Sequence, residues 1–529
     1  MNLEVVVLGR SLPLERCLGQ IGTPFRTLKM DDPVPQESAA YVVVSDSPEV
    51  LALAGRLLSQ GLAVIMPESF CGRLDSGPLR FTYPDHLLCF SEERIRKQFD
   101  VAGLHPTESV AVRSTAHTVF FFLKLLTQVF EVQGLLFPAL GFYPSGKRSL
   151  FSCRIDADEW DEAVCDPFFR KLKPYSRGVS VFFSAANYSG SPNTIRDCAA
   201  AGAEVLSHGY YHYTYRSARQ NRLNLAKASE FLNGLGIFSR GFAAPHGRWN
   251  QGLQKVLEDL GYLYSSDFSY DYDSFPSYPF SRDGFSRVLQ IPIHPVCSGV
   301  CLEASRSGFT HQILLPYFKD VFLRKYYAGL PVIFYDHPTA WAVENFKLIE
   351  KWFDLAKEFS DVWICPMGDF ATWWSQRTEV NVRLDQSPHG STVRISCETL
   401  PRSSQLFSLN LFRQDASEYA PVGLREGVSN FDVSGASFLK RETGAPDAAI
   451  PVFERKWSLR LKATVKEFLD WETTTPSDLL LADDFSSFLK KMARLSFDRV
   501  RLRHNDQNCE QKGKTKSLRN KIFIERNQR

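Results

Sequence analysis

Two carboxylates and two imidazoles in this sequence have the types and the spacing of a metal-dependent hydrolytic centre. Asp156 and Asp158 follow a short apolar run that ends at Ile155, and His208 and His212 follow a later one. Residues four apart lie on one face of a helical turn, so both imidazoles can approach one ion. Asp158, His208 and His212 are therefore predicted to hold a metal with an open position for water. Asp156 is placed to accept that water's proton.

Taken separately, each pair has a more ordinary interpretation. An acid pair after a strand is usually a solvated turn or a helix cap, and an H-x-x-x-H in an aromatic stretch is usually part of the packing. The catalytic interpretation is favoured because further motifs follow in order. They are GFAAPHG at 241–247, YSSDFSYD at 264–271, IPIHP at 291–295 and FYDHP at 334–338.

This ordered set resembles the polysaccharide deacetylase (NodB-homology) superfamily, in the branch whose first motif reads D-x-D. The resemblance covers roughly residues 148–376 and implies a distorted (β/α)7 barrel. It implies that Asp156 is the catalytic base and that Asp158 binds a divalent metal, zinc by expectation, together with His208 and His212. The implied substrate is an N-acylated sugar or glycan.

The resemblance also assigns residues that act on the leaving group. In the family, a histidine on a late strand protonates the leaving amine, and this position maps to His337. His294 is a rival for the same role. The family acid that orients and charges this histidine corresponds to Asp267 or Asp271, and we prefer Asp267 as the third catalytic residue.

One position departs from the family pattern. An arginine usually stands two residues before the proline of the third motif, where it keeps the catalytic aspartate ionised, but this chain has Ala243. Arg248 and Arg154 are candidates to replace it beside Asp156. The family's tyrosine after the proline is replaced by His246, and weak or altered activity is one consequence to expect. The predicted substrate-binding residues are His246, Arg248, His294 and Trp160.

Three functions are compatible with these motifs. The first is a metal-dependent hydrolase that removes an N-acyl group from a sugar in polysaccharide or glycolipid metabolism. The second is a C–N hydrolase that acts on a small non-sugar amide. The third is a non-catalytic protein whose degenerate barrel binds carbohydrate or organises partners.

The elements that must position these residues follow a β-then-α rhythm from residue 148 onward. Seven or eight such units predict a parallel barrel, in which residues after the strand ends converge on one mouth. Strands are predicted at 150–155, 179–184, 203–206, 241–244, 262–265, 288–293, 331–335 and 362–365. Every motif above stands at such a strand end.

The flanking regions have different patterns. Continuous apolar strands between helices predict a Rossmann- or flavodoxin-like α/β domain over 1–110, which lacks a nucleotide-binding glycine motif. Residues 111–147 are predicted to form a helical connector. Alternating polar and apolar residues over 379–450 predict a small antiparallel, β-sandwich-like domain. Residues 451–529 are predicted to be mixed helical, basic and partly disordered.

Composition limits the class of protein, the partners and the cellular compartment that can be expected. The 529 residues are 44% hydrophobic and 23% charged, as in soluble globular proteins, and exceed what a single core supports. The net charge of +3 favours no specific nucleic acid partner. The charge of the basic tail is compatible with peripheral contact with anionic lipid headgroups or with nucleic acid, but a merely solvated tail is the favoured interpretation. Eleven cysteines and the lack of a signal-like N-terminus predict a cytoplasmic protein, or one at the inner face of the membrane.

Overall fold

The computed structural model describes residues 1–451 apart from 30–31, 36, 75–76, 306–308, 404 and 445–449, and beyond 451 only residues 461, 465, 489, 492 and 493. The predicted basic tail over 451–529 therefore lies almost wholly outside the described residues. Among the described helices, none combines the length and apolarity that crossing a membrane requires.

The first part of the chain builds parallel strands that alternate with helices, followed by an antiparallel pair of strands. Its strands are β1 (Asn2–Leu8), β2 (Phe25–Leu28), β3 (Ser38–Val43), β4 (Val64–Pro67), β5 (Arg80–Tyr83), β6 (Arg94–Gln98) and β7 (Thr107–Ala111). Its helices are α1 (Leu12–Ile21), α2 (Pro48–Ser59) and α3 (Ala116–Glu131). β3 and β4 are buried throughout, as expected of a parallel sheet that is covered on both faces.

The parallel strands of this region lie in the order β2-β1-β3-β4-β5. This is the order of flavodoxin-like sheets. The assignment of 1–110 to a separate Rossmann- or flavodoxin-like domain nevertheless stays a prediction, because the same sheet continues into strands from beyond residue 380.

The middle of the chain alternates strands and helices. Its strands are β8 (Phe137–Leu140), β9 (Ser149–Ala157), β10 (Val179–Phe183), β11 (Glu204–Ser207), β12 (Gly241–Ala243), β13 (Tyr264–Ser266), β14 (Phe280–Ser281), β15 (Gly284–Phe285), β16 (Leu289–Gln290), β17 (Val332–Asp336) and β18 (Val362–Ile364). Its helices are α4 (Glu162–Leu172), α5 (Ala185–Tyr188), α6 (Pro192–Ala200), α7 (Ala218–Gly234), α8 (Gln251–Asp259), α9 (Ser298–Ala304), α10 (His311–Ala328), α11 (Ala340–Glu344), α12 (Lys347–Lys357) and α13 (Met367–Glu379).

Eight of these strands form one parallel sheet in the order β16-β13-β12-β11-β10-β9-β17, with β18 paired to the start of β9. The two end strands are not paired with each other as a ladder. A backbone hydrogen bond, from the His294 N–H to the Ile333 carbonyl at 3.0 Å, crosses the seam beside β17. The predicted α/β barrel is thus confirmed as a curled parallel sheet.

The C-terminal strands do not form a sheet of their own. They are β19 (Asn381–Gln386), β20 (Thr392–Thr399), β21 (Ser408–Arg413), β22 (Glu418–Gly423), β23 (Gly427–Asp432), β24 (Leu439–Lys440) and β25 (Ile450–Pro451). β19, β20 and β23 extend the N-terminal sheet from β1, whereas β21, β22 and β24 add to β8. The predicted self-contained domain over 379–450 is therefore wrong, because its strands cover edges that β1 and β8 would otherwise expose.

The predicted connector over 111–147 is only partly helical, because it contains β8 as well as α3. α3 is apolar on most of its circumference, and it packs against α1, β3, β8 and β21. A continuous hydrophobic core consequently joins the N-terminal sheet, the sheet that contains β8 and β21, and one side of the barrel.

Candidate active site

Strand β9 aligns three charged side chains along one face. Arg154, Asp156 and Asp158 are two residues apart, and alternate residues of a strand point to the same side. Arg154 and Asp156 are buried within β9, and Asp158 lies one residue beyond its end. The strand therefore presents a cation and two carboxylates in sequence toward the end of the barrel where β10 and β11 also finish.

Asp158 lies between two imidazoles. Its Oδ1 atom is 3.2 Å from Nε2 of His208 and 3.2 Å from Nε2 of His212. The two histidines do not lie on a helical turn, as the sequence predicted, but on an irregular loop after β11. They converge because Gly209 takes a positive φ of 85°, and a Cβ there would come within 2.9 Å of the Tyr211 carbonyl oxygen.

The donor set at Asp158 fits a divalent cation. Nδ1 of His208 is 2.8 Å from the carbonyl oxygen of Ala243, and a carbonyl can only accept, so Nδ1 carries the proton. In the neutral ring Nε2 then has a lone pair that faces the Asp158 carboxylate. Lone pairs at this distance repel unless a cation lies between them, and one carboxylate with two imidazoles is a common zinc ligand set.

Arg154 takes the place of the arginine that Ala243 does not provide. Its Nε and Nη2 atoms donate to the two carboxylate oxygens of Asp156, each at 2.6 Å. Its Nη1 donates to the carbonyl and hydroxyl oxygens of Ser266 at 3.1 and 3.0 Å. Arg248, the other candidate, instead donates to the Tyr213 hydroxyl at 2.9 Å. The buried aspartate thus has a bidentate counter-ion from its own strand.

The two aspartates are held in the ionised form. Burial by itself would raise the pKa of Asp156, but the Arg154 guanidinium and the imidazoles of His208 and His337 outweigh it and lower that pKa. Burial opposes ionisation of Asp158 as well. Its imidazole neighbours, led by His212 and His337, nevertheless hold the pKa of Asp158 well below its ordinary value.

His337 joins the same mouth from the end of β17. Its Nε2 atom lies 3.6 Å from Oδ2 of Asp158. Burial would lower the pKa of His337, but Asp158 and Cys297 outweigh it and raise that pKa well above its usual range. A ring nitrogen of His337, the Cys297 sulfur and an Asp336 carboxylate oxygen lie within 4.8 Å of one another. The Cys297 thiol and the Asp336 carboxylate, and not Asp267 or Asp271 as the resemblance implied, therefore lie beside this histidine.

Asp267 does not orient His337. Its Oδ1 accepts the backbone N–H groups of Ser269 and Tyr270 at 3.2 and 2.9 Å. Within the described residues no hydrogen bond or ion pair joins Asp267 to His337. The prediction was wrong because the turn after β13 directs this carboxyl toward its own backbone.

Asp267 is also a buried acid with a perturbed pKa. Burial raises the pKa of Asp267 to about 7. In the amide orientation that satisfies its neighbours, the Gln290 nitrogen donates to Oδ2 of Asp267 at 2.8 Å, and the Gln290 oxygen accepts from the Trp249 indole N–H at 3.3 Å.

His294 and Asp271 were the sequence-based alternatives to His337 and Asp267, and both make contacts within the packed structure. Both ring nitrogens of His294 are used, by an Asp273 carboxylate oxygen at 2.9 Å and by the Tyr317 hydroxyl at 2.9 Å. His294 is also buried, so the prediction that it binds substrate or protonates the amine was wrong. Asp271 accepts the Thr115 backbone N–H at 3.0 Å, immediately before α3.

The other predicted substrate contacts lie near the mouth. His246 is exposed, with a positive φ of 58°, and its ring centroid is 4.8 Å from that of His212. The Arg248 guanidinium packs over the Tyr213 ring. Trp160 is half-buried, and its indole packs edge-on against Tyr188 at 5.3 Å. His246 is therefore the one of the three with an exposed ring beside a candidate metal ligand.

The sequence motifs give Cys297 no role in the site. No local pattern links it to His337, since the two belong to different strand ends. Arg154, in contrast, carried a usable signal. Its i, i+2 spacing from Asp156 within a strand already puts both side chains on one face.

Comparison with known proteins supports the resemblance. Residues 155–265 match the family model described as polysaccharide deacetylase, a segment that contains both aspartates and both paired histidines. No curated protein matches the chain.

Several solved structures are similar to part of this chain. A protein described as a probable polysaccharide deacetylase from Pseudomonas aeruginosa PAO1 is 21% identical with a TM-score of 0.38, over 44% of this chain and 92% of that one. An allantoinase, PuuE, gives the same four values. A CE4 family pseudoenzyme from Bacillus anthracis is 16% identical with a TM-score of 0.31, over 43% of this chain and 66% of that one.

The family match falls on the part of the chain that carries the ordered motifs and the clustered ligands. Residues 155–265 of this protein are similar to the polysaccharide deacetylase family.

Proposed function

We propose that this protein is a metal-dependent hydrolase that removes an N-acetyl or similar N-acyl group from a sugar. One observation carries the proposal: Asp158 Oδ1 lies 3.2 Å from the Nε2 atoms of both His208 and His212. The His208 tautomer leaves lone pairs facing each other there, and a divalent cation, zinc by our proposal, resolves that conflict.

Hydrolysis of an amide adds water across the C–N bond, so one group must take a proton and another must give one. When bound, the metal would lower the pKa of a water ligand and polarise the acyl carbonyl. Asp156 lies next along the strand and is kept ionised by Arg154, so it can accept the proton. His337, near Asp158, is placed to protonate the leaving amine.

The Arg154–Asp156 pair also bears on the non-catalytic alternative. That alternative was motivated by Ala243, since a catalytic aspartate without its arginine would lose its counter-ion. Arg154 supplies a bidentate one at 2.6 Å. The pair therefore favours a working site over a degenerate barrel that only binds carbohydrate.

The test is acetate release by the full-length protein after metal removal and reloading with zinc or cobalt. N-acetylglucosamine oligomers are the sugar substrates, and linear and cyclic amides test the small-amide alternative. We expect release from the sugars, and its loss in Asp158→Asn and in His212→Gln. Asp161→Asn is the matched control, because Asp161 is an exposed cap of α4.

Two outcomes would contradict the proposal. One is metal-loaded protein that releases no acetate from any sugar. The other is an Asp158→Asn variant that keeps the activity of the Asp161→Asn control. Cleavage of amides without cleavage of sugars would support the small-amide hydrolase in its place.

A further inference from the structure

Cys297 lies directly before α9, where the start of this helix meets the end of β17. Its side chain is only 1% exposed, whereas the His337 side chain is 24% exposed and reaches the barrel mouth. A Cβ built on Gly299 would lie 3.5 Å from the Cys297 sulfur and 3.9 Å from Nδ1 of His337. The thiol and Nδ1 therefore face the same point at the start of α9.

The segment that carries the thiol is held firmly against β17. The Asp336 carboxylate accepts the Ser298 hydroxyl at 2.6 Å and the His337 backbone N–H at 2.9 Å. The Tyr335 hydroxyl donates to the Pro295 carbonyl at 3.2 Å, and the Tyr335 ring packs edge-on against the His337 ring at 5.5 Å. These contacts fix the main chain on both sides of the thiol and bring it against the imidazole.

The two nitrogens of the His337 ring have different surroundings. Nε2 lies 3.6 Å from Oδ2 of Asp158, on the side of the candidate metal ligands. Nδ1 lies on the side of Cys297, and this thiol raises the pKa of His337 both through its charge and as a hydrogen-bond partner of the ring, after the larger effect of Asp158. Nε2 is therefore the atom that can reach the leaving amine.

Proton transfer from Nε2 requires a suitable partner at Nδ1. When the C–N bond breaks, its electron pair stays on the nitrogen of the leaving amine, and this nitrogen takes the Nε2 proton of the imidazolium. The neutral imidazole that remains carries its proton on Nδ1. An acceptor at Nδ1 favours this tautomer and fixes the orientation of the ring. A cysteine sulfur can accept such an N–H group.

We propose that Cys297 is a positioning residue for His337: its sulfur accepts the Nδ1–H group and so turns Nε2 toward the leaving amine. The inference rests on the proposed hydrolase function, because it gives His337 the same role. It assigns to a thiol the task that the resemblance gives to an acid.

The first test compares two substrates with different leaving groups. Full-length, zinc-loaded Cys297→Ala, Cys297→Ser and Cys301→Ala proteins are assayed on N-acetylglucosamine oligomers and on 4-nitrophenyl acetate, whose leaving group needs no proton. Cys301→Ala is the matched control, because Cys301 is a fully buried thiol one helical turn further along α9.

We expect Cys297→Ala to lower kcat on the oligomers by about tenfold or more, with KM and ester hydrolysis each changed by less than about twofold. Cys297→Ser should keep about half of the activity or more, because its hydroxyl can also accept the N–H group. Equal losses of amide and ester hydrolysis would indicate a general structural effect and overturn the inference. A kcat of Cys297→Ala equal to that of Cys301→Ala would overturn it too.

The second test does not depend on turnover. Crystal structures of the metal-free unsubstituted, Cys297→Ser and Cys297→Ala proteins show the His337 ring directly. We expect one common ring orientation in the first two, and a rotated ring or two conformers in Cys297→Ala. The same orientation in all three would refute positioning by the thiol. Protein that releases no acetate, but whose ring orientation depends on residue 297, would refute the hydrolase proposal alone.

Discussion

At the scale of single residues, the site depends on a buried carboxylate and its counter-ion. Asp156 is 3% exposed and Arg154 is fully buried. Removing one member of a buried ion pair is costly because it leaves the other charge without compensation. The pair therefore matters for stability as well as for the proposed proton transfer.

The first prediction concerns Arg154. We expect Arg154→Met to lower the free energy of unfolding by about 3–5 kcal/mol, because the Asp156 carboxylate then loses its bidentate partner. Urea denaturation followed by fluorescence measures this loss. The double variant Arg154→Met/Asp156→Asn should be more stable than the single variant, by about 1 kcal/mol or more. Equal stabilities of the single and double variants would contradict the pairing.

The second prediction concerns the ligands. We expect purified protein to contain about one equivalent of a divalent metal, and Asp158→Asn to contain less than about a tenth of that, because the variant removes the only carboxylate of the predicted ligand set. Elemental analysis measures the content. The Asp161→Asn protein is the matched control, and equal metal in both variants would exclude Asp158 as a ligand.

At the scale of elements, a polar network connects β13, β16 and α8. Asp267 follows β13, Gln290 ends β16, and Gln254 lies on α8. The Gln290 amide nitrogen donates to Oδ2 of Asp267 at 2.8 Å, and burial raises the pKa of Asp267 to about 7. A buried carboxyl whose pKa lies near neutral makes the packing of these elements dependent on pH.

The third prediction is this pH dependence. The pKa of Asp267 is about 7 in the fold and about 3.9 in an unfolded chain. A raised pKa means that the folded state binds the proton more tightly, so the stabilising contribution is complete below about pH 4 and is lost as pH rises through 7. In urea denaturation between pH 5 and pH 8, we expect Asp267→Asn to remove much of this slope and to be more stable than the unsubstituted protein at pH 8.

The physical reason is that an asparagine side chain is neutral at every pH, so it avoids the cost of burying an ionised carboxylate. Ser269→Ala is a control for general effects at the same turn, since it leaves the Asp267 carboxyl in place. Identical pH profiles for the Asn variant and the unsubstituted protein would show that Asp267 is ionised throughout.

At the scale of the whole molecule, a buried guanidinium contacts both the barrel and the N-terminal region. Arg377 on α13 donates to the carbonyls of Ile21 at 2.8 Å and of Gly141 at 2.9 Å. The Ile21 carbonyl is at the end of α1, where helix carbonyls lack partners within the helix. Burial lowers the pKa of Arg377 to about 9.

The fourth prediction follows from this junction. We expect Arg377→Met to lower the free energy of unfolding by about 2–5 kcal/mol, because several buried carbonyl oxygens lose their donor together. Thermal and urea unfolding measure the change, and Arg383→Met, on the exposed face of β19, is the matched control. A loss no larger than that of the control would mean that this junction contributes little.

Several features were determined by the sequence itself. Order and spacing predicted the α/β barrel, the D-x-D strand end and the paired histidines, because strand alternation and motif order are local properties of a chain. The i, i+2 spacing also made Arg154 a candidate partner of Asp156. The family match over 155–265 agrees with that interpretation.

Only the tertiary structure decided which distant groups meet. His294 and Asp267 stand at plausible strand ends, yet their partners Asp273, Tyr317 and Gln290 come from packing that local patterns do not encode. The same holds for the strands beyond 380, whose alternation predicts one solvated face but not which edge they join. Partner choice between distant segments depends on which edges and polar atoms the rest of the fold leaves unsatisfied.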